Sequence, residues 1–199
     1  MPNALAKQLR KPSGFFGNLV AKMMEFRNRG FYRVIIRKLS PQQGEHILEI
    51  GYGPGLGVYQ IASSFPGCTV SGIDFSELMY QKASKRNKRF IDKGTVHLLY
   101  GDVLTLKPVT DKFDKIFCVN VIYFWHDLNL AFARIFNMLG EKGEFLIYMD
   151  HRDTIEKAIL LADFCKYSVE EVVSKLKNAG FADIEYAYDK GYFISAKKR

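Results

Sequence analysis

The sequence predicts an α/β fold of the doubly wound type. A mostly parallel seven-stranded sheet carries helices on both faces, ends in an antiparallel C-terminal hairpin and has an N-terminal helical cover. Three observations predict it. From residue 45 onward, short apolar runs alternate with helix-period segments, the pattern of repeated β-α-β units. The run Phe113–Val119 is apolar enough to lie buried on both faces, as strands of parallel sheets do. The last two runs flank Asp189-Lys190-Gly191, a hairpin turn.

Taken in order, residues 1–40 read as a helical arm and 41–199 as one domain. Pro12-Ser13-Gly14 is a turn. Phe16, Leu19, Val20 and Met23, then Tyr32, Ile35, Ile36 and Leu39, recur at helical spacing, with Gly30 as a break or bend between two pieces. Glu25, Arg29, Arg33 and Arg37 stand four apart, which allows a Glu25–Arg29 pair. Strands follow at His46–Ile50, Thr69–Ile73, Thr95–Tyr100, Phe113–Val119 and Glu144–Met149, the last after a Gly140–Gly143 turn. The hairpin strands are Ile184–Tyr188 and Tyr192–Ala196. Helices are expected at Leu56–Ser64, Ser76–Ile91, Leu128–Leu139 and Ser168–Ala179, with Ser76 and Ser168 as N-caps.

The 199 residues are 48% hydrophobic and 25% charged, ordinary for one folded domain and unlike a disordered or disulfide-rich chain. Cys68, Cys118 and Cys165 form no CxxC, and the four histidines form no HExxH. No metal site is expected, and the sparse cysteines fit a reducing compartment. No apolar run approaches the roughly 18 residues of a membrane span, and no signal peptide is recognisable. The expected location is cytoplasmic.

The net charge of +8 is concentrated. Residues 1–40 hold nine Lys or Arg against the single acid Glu25, and the rest is neutral. A basic arm on a neutral body is either a solvated helix face or a contact for an anionic substrate or surface.

The sharpest feature is Glu49-Ile50-Gly51-Tyr52-Gly53-Pro54-Gly55-Leu56-Gly57. It follows a strand and opens a helix, where open α/β sheets bind ligands. It is not GxxxxGK[ST], and Leu56 occupies the third glycine position of GxGxxG. An acid before the loop repels a pyrophosphate and favours an amino-bearing ligand. Asp74, 23 residues after Gly51, ends the second strand, where a carboxylate can accept ribose hydroxyls. Asp102 ends the third, where it can accept an exocyclic amine. The set suits a positively charged nucleoside.

The segments ILEIGYGPGLG, GIDFSELM, LLYGDVLTL and FDKIFCVNVIYFW, in this order and spacing, resemble class I S-adenosylmethionine-dependent methyltransferases. The likeness is to the small-molecule type related to the ubiquinone and menaquinone enzymes. It covers residues 45–150, and SVEEVVSKLKNAGF near the C-terminus resembles the family too. The resemblance implies a Rossmann-like fold and S-adenosyl-L-methionine as cofactor. It implies that Glu49, Gly51, Gly53 and Gly55 cradle the methionine part, that Asp74 holds the ribose, and that Tyr52 and Gly101 also belong to the cofactor site. It places Phe75, Met79, Asp102 and Val103 around the adenine, and Asn120 at the methionine end and the transferred methyl.

Methyl transfer from a sulfonium needs alignment first, and a base only for some acceptors. The catalytic candidates are His126, with an intrinsic pKa suited to a base, and Tyr123. His126 also reads as a polar residue beside an Asp127 helix cap, and Tyr123 and Trp125 as pocket lining or core. Asp150-His151 is a second acid/base pair. Pro12–Phe16 and the basic stripe would close over the site. Asn120-Val121-Ile122-Tyr123 lacks both prolines of the Asn-Pro-Pro-Tyr loop of amino-methylating nucleic-acid enzymes, which tells against nucleic acid.

The leading expectation is methyl transfer to a small or amphiphilic acceptor, an anionic one where the arm takes part. The alternatives are a lipid or quinone methyltransferase at an anionic membrane surface, an RNA methyltransferase, and a cofactor-binding module without catalysis.

Overall fold

The computed structural model describes residues 8, 10–106, 112–157 and 164–199. Lys7 of the basic segment lies outside them, as do the side chains of Phe15, Phe16, Val20 and Met24. The chain runs α1 (Gly14–Leu39), β1 (His46–Ile50), α2 (Leu56–Ser64), β2 (Thr69–Asp74), α3 (Glu77–Ile91), β3 (Val96–Tyr100) and β4 (Phe113–Val119). A 3-10 turn (Ile122–Phe124) leads to α4 (Leu128–Met138), β5 (Leu139–Met149), α5 (Arg152–Lys157), α6 (Val169–Asn178), β6 (Ala182–Tyr188) and β7 (Tyr192–Lys197).

The seven strands form one sheet in the order β3-β2-β1-β4-β5-β7-β6. The first five are parallel, and β7 enters antiparallel between β5 and β6. Alternation of side chains along each strand supplies two cores. Ile47, Val70, Phe117 and Leu146 face α1, α2 and α3 through Ile35, Ile61 and Ala83. Leu48, Ile116, Phe145 and Ile147 face α4 and α6 through Phe132, Ile135 and Leu176. The direction in which successive strands are added reverses between the parallel neighbours β1 and β4, so a crevice opens at their carboxyl ends.

Side-chain caps fix where helices begin. Ser76 accepts from the Met79 N–H. Asp127 accepts from the N–H groups of Asn129 and Leu130. Ser168 and Glu171 form a reciprocal capping box, the arrangement that satisfies two otherwise orphaned donors.

Several expectations are corrected. Gly30 does not break the arm into two helices, because α1 is continuous from Gly14 to Leu39. A helix-interior glycine costs only about 1 kcal/mol against alanine, and the fully buried Ile35 and Leu39 lie beyond it. Leu19 and Met23 face outward. Gly17 and Ala21 occupy the inward face instead, and at Gly17 a Cβ would stand 2.9 Å from the Leu78 side chain. Glu25 pairs with Arg86 rather than Arg29. Residues four apart step about 40° round a helix, so Glu25 points inward while Arg33 and Arg37 point out. The Gly140–Gly143 turn is absorbed into β5, where Leu139 pairs with Phe113 across a register shift.

Candidate functional site

The crevice is an open cleft holding about 940 Å³ of space, with the solvent at its mouth included. Of the residues singled out from the sequence, Gly51, Gly53, Asp74, Phe75, Met79, Gly101, Asp102, Val103 and Asn120 line it. The loop after β1 supplies its floor. Gly51, Gly53 and Gly55 all have positive φ, the region glycine enters without strain. A Cβ on Gly51 would stand 2.4 Å from Val121, so the β1 and β4 loops meet only because the side chain is missing.

Asp74 ties the loop to the sheet. Its carboxylate accepts from the Gly53 N–H at 2.8 Å and from the Ser76 N–H at 2.9 Å. Burial pushes its pKa up to about 6 despite those two hydrogen bonds. Asp102 accepts from the Leu104 N–H at 2.9 Å. Phe75 meets Phe124 edge-on, with centroids 6.3 Å apart.

Glu49 lies fully buried beside the cleft. Neither carboxylate oxygen has a hydrogen bond of good geometry. The Tyr32 hydroxyl and the Val58 N–H are near enough to offset burial only in part, and its pKa is pushed up to about 8. A Cβ on Gly57 would stand 2.5 Å from a Glu49 oxygen and 2.6 Å from the Tyr32 ring. Gly57 thus makes room for both.

Two loop residues turn elsewhere. Tyr52 is buried on the sheet, its hydroxyl donating to the Leu99 carbonyl, and its ring occupies the space a side chain at Gly72 would need. Gly55 packs against Ala83 and Asn87, and Asn87 donates to its carbonyl.

The catalytic candidates separate. Tyr123 is buried, accepts from the Asp150 N–H, and lies 3.3 Å from Oδ1 of Asn120 as donor. It reaches the cleft through Asn120. His126 opens onto a different groove with Asp127 and Tyr167, its Nδ1 3.3 Å from Sγ of Cys165. Asp150 pairs with Arg27 of α1 and accepts from the Tyr148 hydroxyl, while His151 stacks on Tyr192.

Sequence reasoning missed what α1 contributes. Glu25, Asn28 and Tyr32 line the cleft from this helix, with Arg10 and Pro12 ahead of it. Asn120 Nδ2 donates to Asn28 Oδ1 at 3.1 Å, Ser76 donates to the Pro12 carbonyl, and Arg86 holds both Glu25 and the Pro54 carbonyl. The expected closure by the basic stripe is corrected: Arg29, Arg33 and Arg37 are exposed on the far side of the helix. The one available signal was the inward spacing of Glu25, Asn28 and Tyr32.

A methyltransferase domain family model matches residues 47–143. The uncharacterized methyltransferase YdaC of Bacillus subtilis is 28% identical over 166 residues, which cover 83% of this chain and 87% of the relative. O-methyltransferase cnsE of Penicillium expansum is 27% identical over 157 residues, 74% of this chain and 56% of that enzyme. Among solved structures, phosphoethanolamine N-methyltransferase 2 of Haemonchus contortus, in complex with S-adenosyl-L-methionine, superposes with a TM-score of 0.74 at 21% identity. That match covers 85% of this chain and 52% of that one. A chain from the complex of the Haloferax volcanii Trm112 methyltransferase activator with a methyltransferase gives 0.78 at 15% identity, covering 99% and 98%. The chain thus spans about half the length of the Penicillium and Haemonchus enzymes. The matches to methyltransferases support a class I S-adenosylmethionine-dependent methyltransferase, and the seven-stranded sheet has the Rossmann-like form of those solved structures.

Proposed function

We propose that the cleft holds S-adenosylmethionine and passes its methyl group to a small or amphiphilic acceptor, anionic at the end nearest Arg10. The observation that carries the proposal is Asp74. Its buried carboxylate is held by two backbone amides at the rim of a cleft, oriented to accept from paired hydroxyls. The donor set fits the cofactor. Gly51 and Gly53 leave backbone bare for the methionine part, with Glu49 behind them as counter-charge to an ammonium. Phe75, Met79, Gly101, Asp102 and Val103 form the adenine end. Tyr52 and Gly55 shape the loop from behind.

Bound there, the cofactor supplies a sulfonium leaving group. The chain aligns the acceptor and excludes water. The described residues up to 40 form the cover, and the described residues from 41 on form the cofactor domain. Asn120 stands at the methyl end, fixed by Asn28 and Tyr123. Tyr123 is a positioning residue in this reading, and the place of His126 in a separate groove leaves it no part in proton transfer. Arg10, Phe124 and Trp125 also line the cleft, and in this reading the arginine meets the anionic end of the acceptor while the rings supply apolar surface.

The test measures S-adenosylhomocysteine release with carboxylate, phosphate and phenol acceptors. Turnover with one class, a raised KM but retained kcat in Arg10→Ala, and loss in Asp74→Ala support the proposal. Donor binding without turnover on any class would make this a binding module.

A further inference from the structure

The outer face of α1 carries a feature the methyl-transfer reading does not use. Leu19, Met23 and Phe26 are 63%, 51% and 86% exposed. They stand four and three apart, so they form one row on the side opposite Ala21, Tyr32 and Ile35. Large apolar side chains exposed together in a row mark a contact surface. The surroundings of the row are basic. Lys22 and Arg29 flank it, and Arg33 and Arg37 continue it toward the C-terminal end of the helix, all four exposed. No acid shares the face, because Glu25, the one acid of α1, turns inward to Arg86.

We propose that this face docks the protein on an anionic lipid bilayer. Charge complementarity chooses the occupant. Exposed lysine and arginine meet lipid phosphates and carboxylates, while Leu19, Met23 and Phe26 enter the acyl boundary, as interfacial amphipathic helices do. A nucleic-acid contact uses the bases and leaves three bulky apolar side chains against phosphate, which the row does not suit. The contact is peripheral, since no described helix is long and apolar enough to cross a membrane. The inward face of the same helix lines the cleft through Glu25, Asn28 and Tyr32. Docking therefore holds the cleft within one helix diameter of the bilayer, about 10–12 Å, and favours an acceptor carried in or at the lipid surface. The docking surface itself stands independently of the methyl-transfer reading.

The test is flotation of the full chain with phosphatidylcholine vesicles, with and without phosphatidylglycerol at about a third of the lipid, in low salt. Binding is expected to the anionic vesicles only. Leu19→Ser/Met23→Ser/Phe26→Ser should lower partitioning about tenfold or more. Arg33→Gln and Arg37→Gln should each lower it about fivefold. S-adenosylhomocysteine affinity, measured on the same variants, should not change. That readout separates a failed docking surface from a failed cofactor site. No binding to anionic vesicles at low salt overturns the proposal. So does vesicle binding that the apolar triple variant leaves intact, or RNA displacing the vesicles with equal affinity for wild type and triple variant.

Discussion

Glu49→Gln tests the electrostatics of the site on the free protein. The wild-type carboxyl is fully buried, and neither oxygen is well hydrogen-bonded. Its pKa moves from 4.5 to about 8 because burial penalises the charged form. The folded chain therefore binds more protons than the unfolded chain between those two values. The sign follows. This group's contribution to stability is fully present below pH 4.5, declines as pH rises, and is lost above about pH 8. At pH 7 the gap from the unfolded value is about 2.5 units, or about 3 kcal/mol. Glutamine keeps the shape and removes the ionisation. Urea denaturation from pH 4.5 to 8.5, without cofactor, should show variant and wild type closely matched at the acid end. The variant should gain about 3 kcal/mol by pH 7. A difference that does not change with pH would mean that Glu49 ionises in the fold as it does in the unfolded chain, contrary to the raised pKa. An ammonium-bearing ligand beside Glu49 should also expel its proton. Calorimetry of S-adenosylhomocysteine in buffers of different ionisation enthalpy should detect that release in wild type and not in Glu49→Gln.

Other consequences follow from particular contacts. Arg27→Ala leaves the largely buried Asp150 carboxylate without its cation. The arginine is half exposed, so the loss should be about 1 kcal/mol, measured by urea denaturation and recovered when Asp150→Asn is added. Gly51→Ala faces both a positive φ and the Val121 side chain, whereas Gly53→Ala faces only the positive φ. The first should cost about 2–4 kcal/mol and the second about 1 kcal/mol, with Val121→Ala restoring part of the first in thermal melts. Cys165 is partly exposed beside His126, while Cys68 and Cys118 are buried with their thiols pushed up by burial. Maleimide labelling of the native protein should therefore give one fast equivalent, lost in Cys165→Ser.

The strands, the capping residues and the glycine loop were legible in the sequence because each rests on local chemistry. Ser76, Asp127 and Ser168 cap the amides of their own helices, and β4 buries Ile116–Val119 as its composition demands. What was not legible rests on long-range contacts. Leu19 and Met23 share a helical period with core residues, yet the packing surface selects Gly17, Ala21 and Tyr32. Glu25 finds Arg86 61 residues away, and Arg27 finds Asp150 123 residues away. His126 sits one residue from Trp125, which lines the cleft, yet opens onto the neighbouring groove with Cys165. Nothing in a one-residue step announces that change of side. The cofactor half of the site is read from a loop and three strand ends, whereas which residues of the N-terminal cover face the cleft could be read only from the folded chain.

In the proposed function, Asp74 and the glycine loop hold S-adenosylmethionine. The most direct measurement is calorimetric titration of the full chain with S-adenosylhomocysteine, with Asp74→Ala as control. Wild type should bind with micromolar affinity and the variant at least about a hundredfold more weakly, since a buried acceptor for two hydroxyls is removed. Equal affinity in the two proteins, or no binding at millimolar ligand, would contradict that proposal.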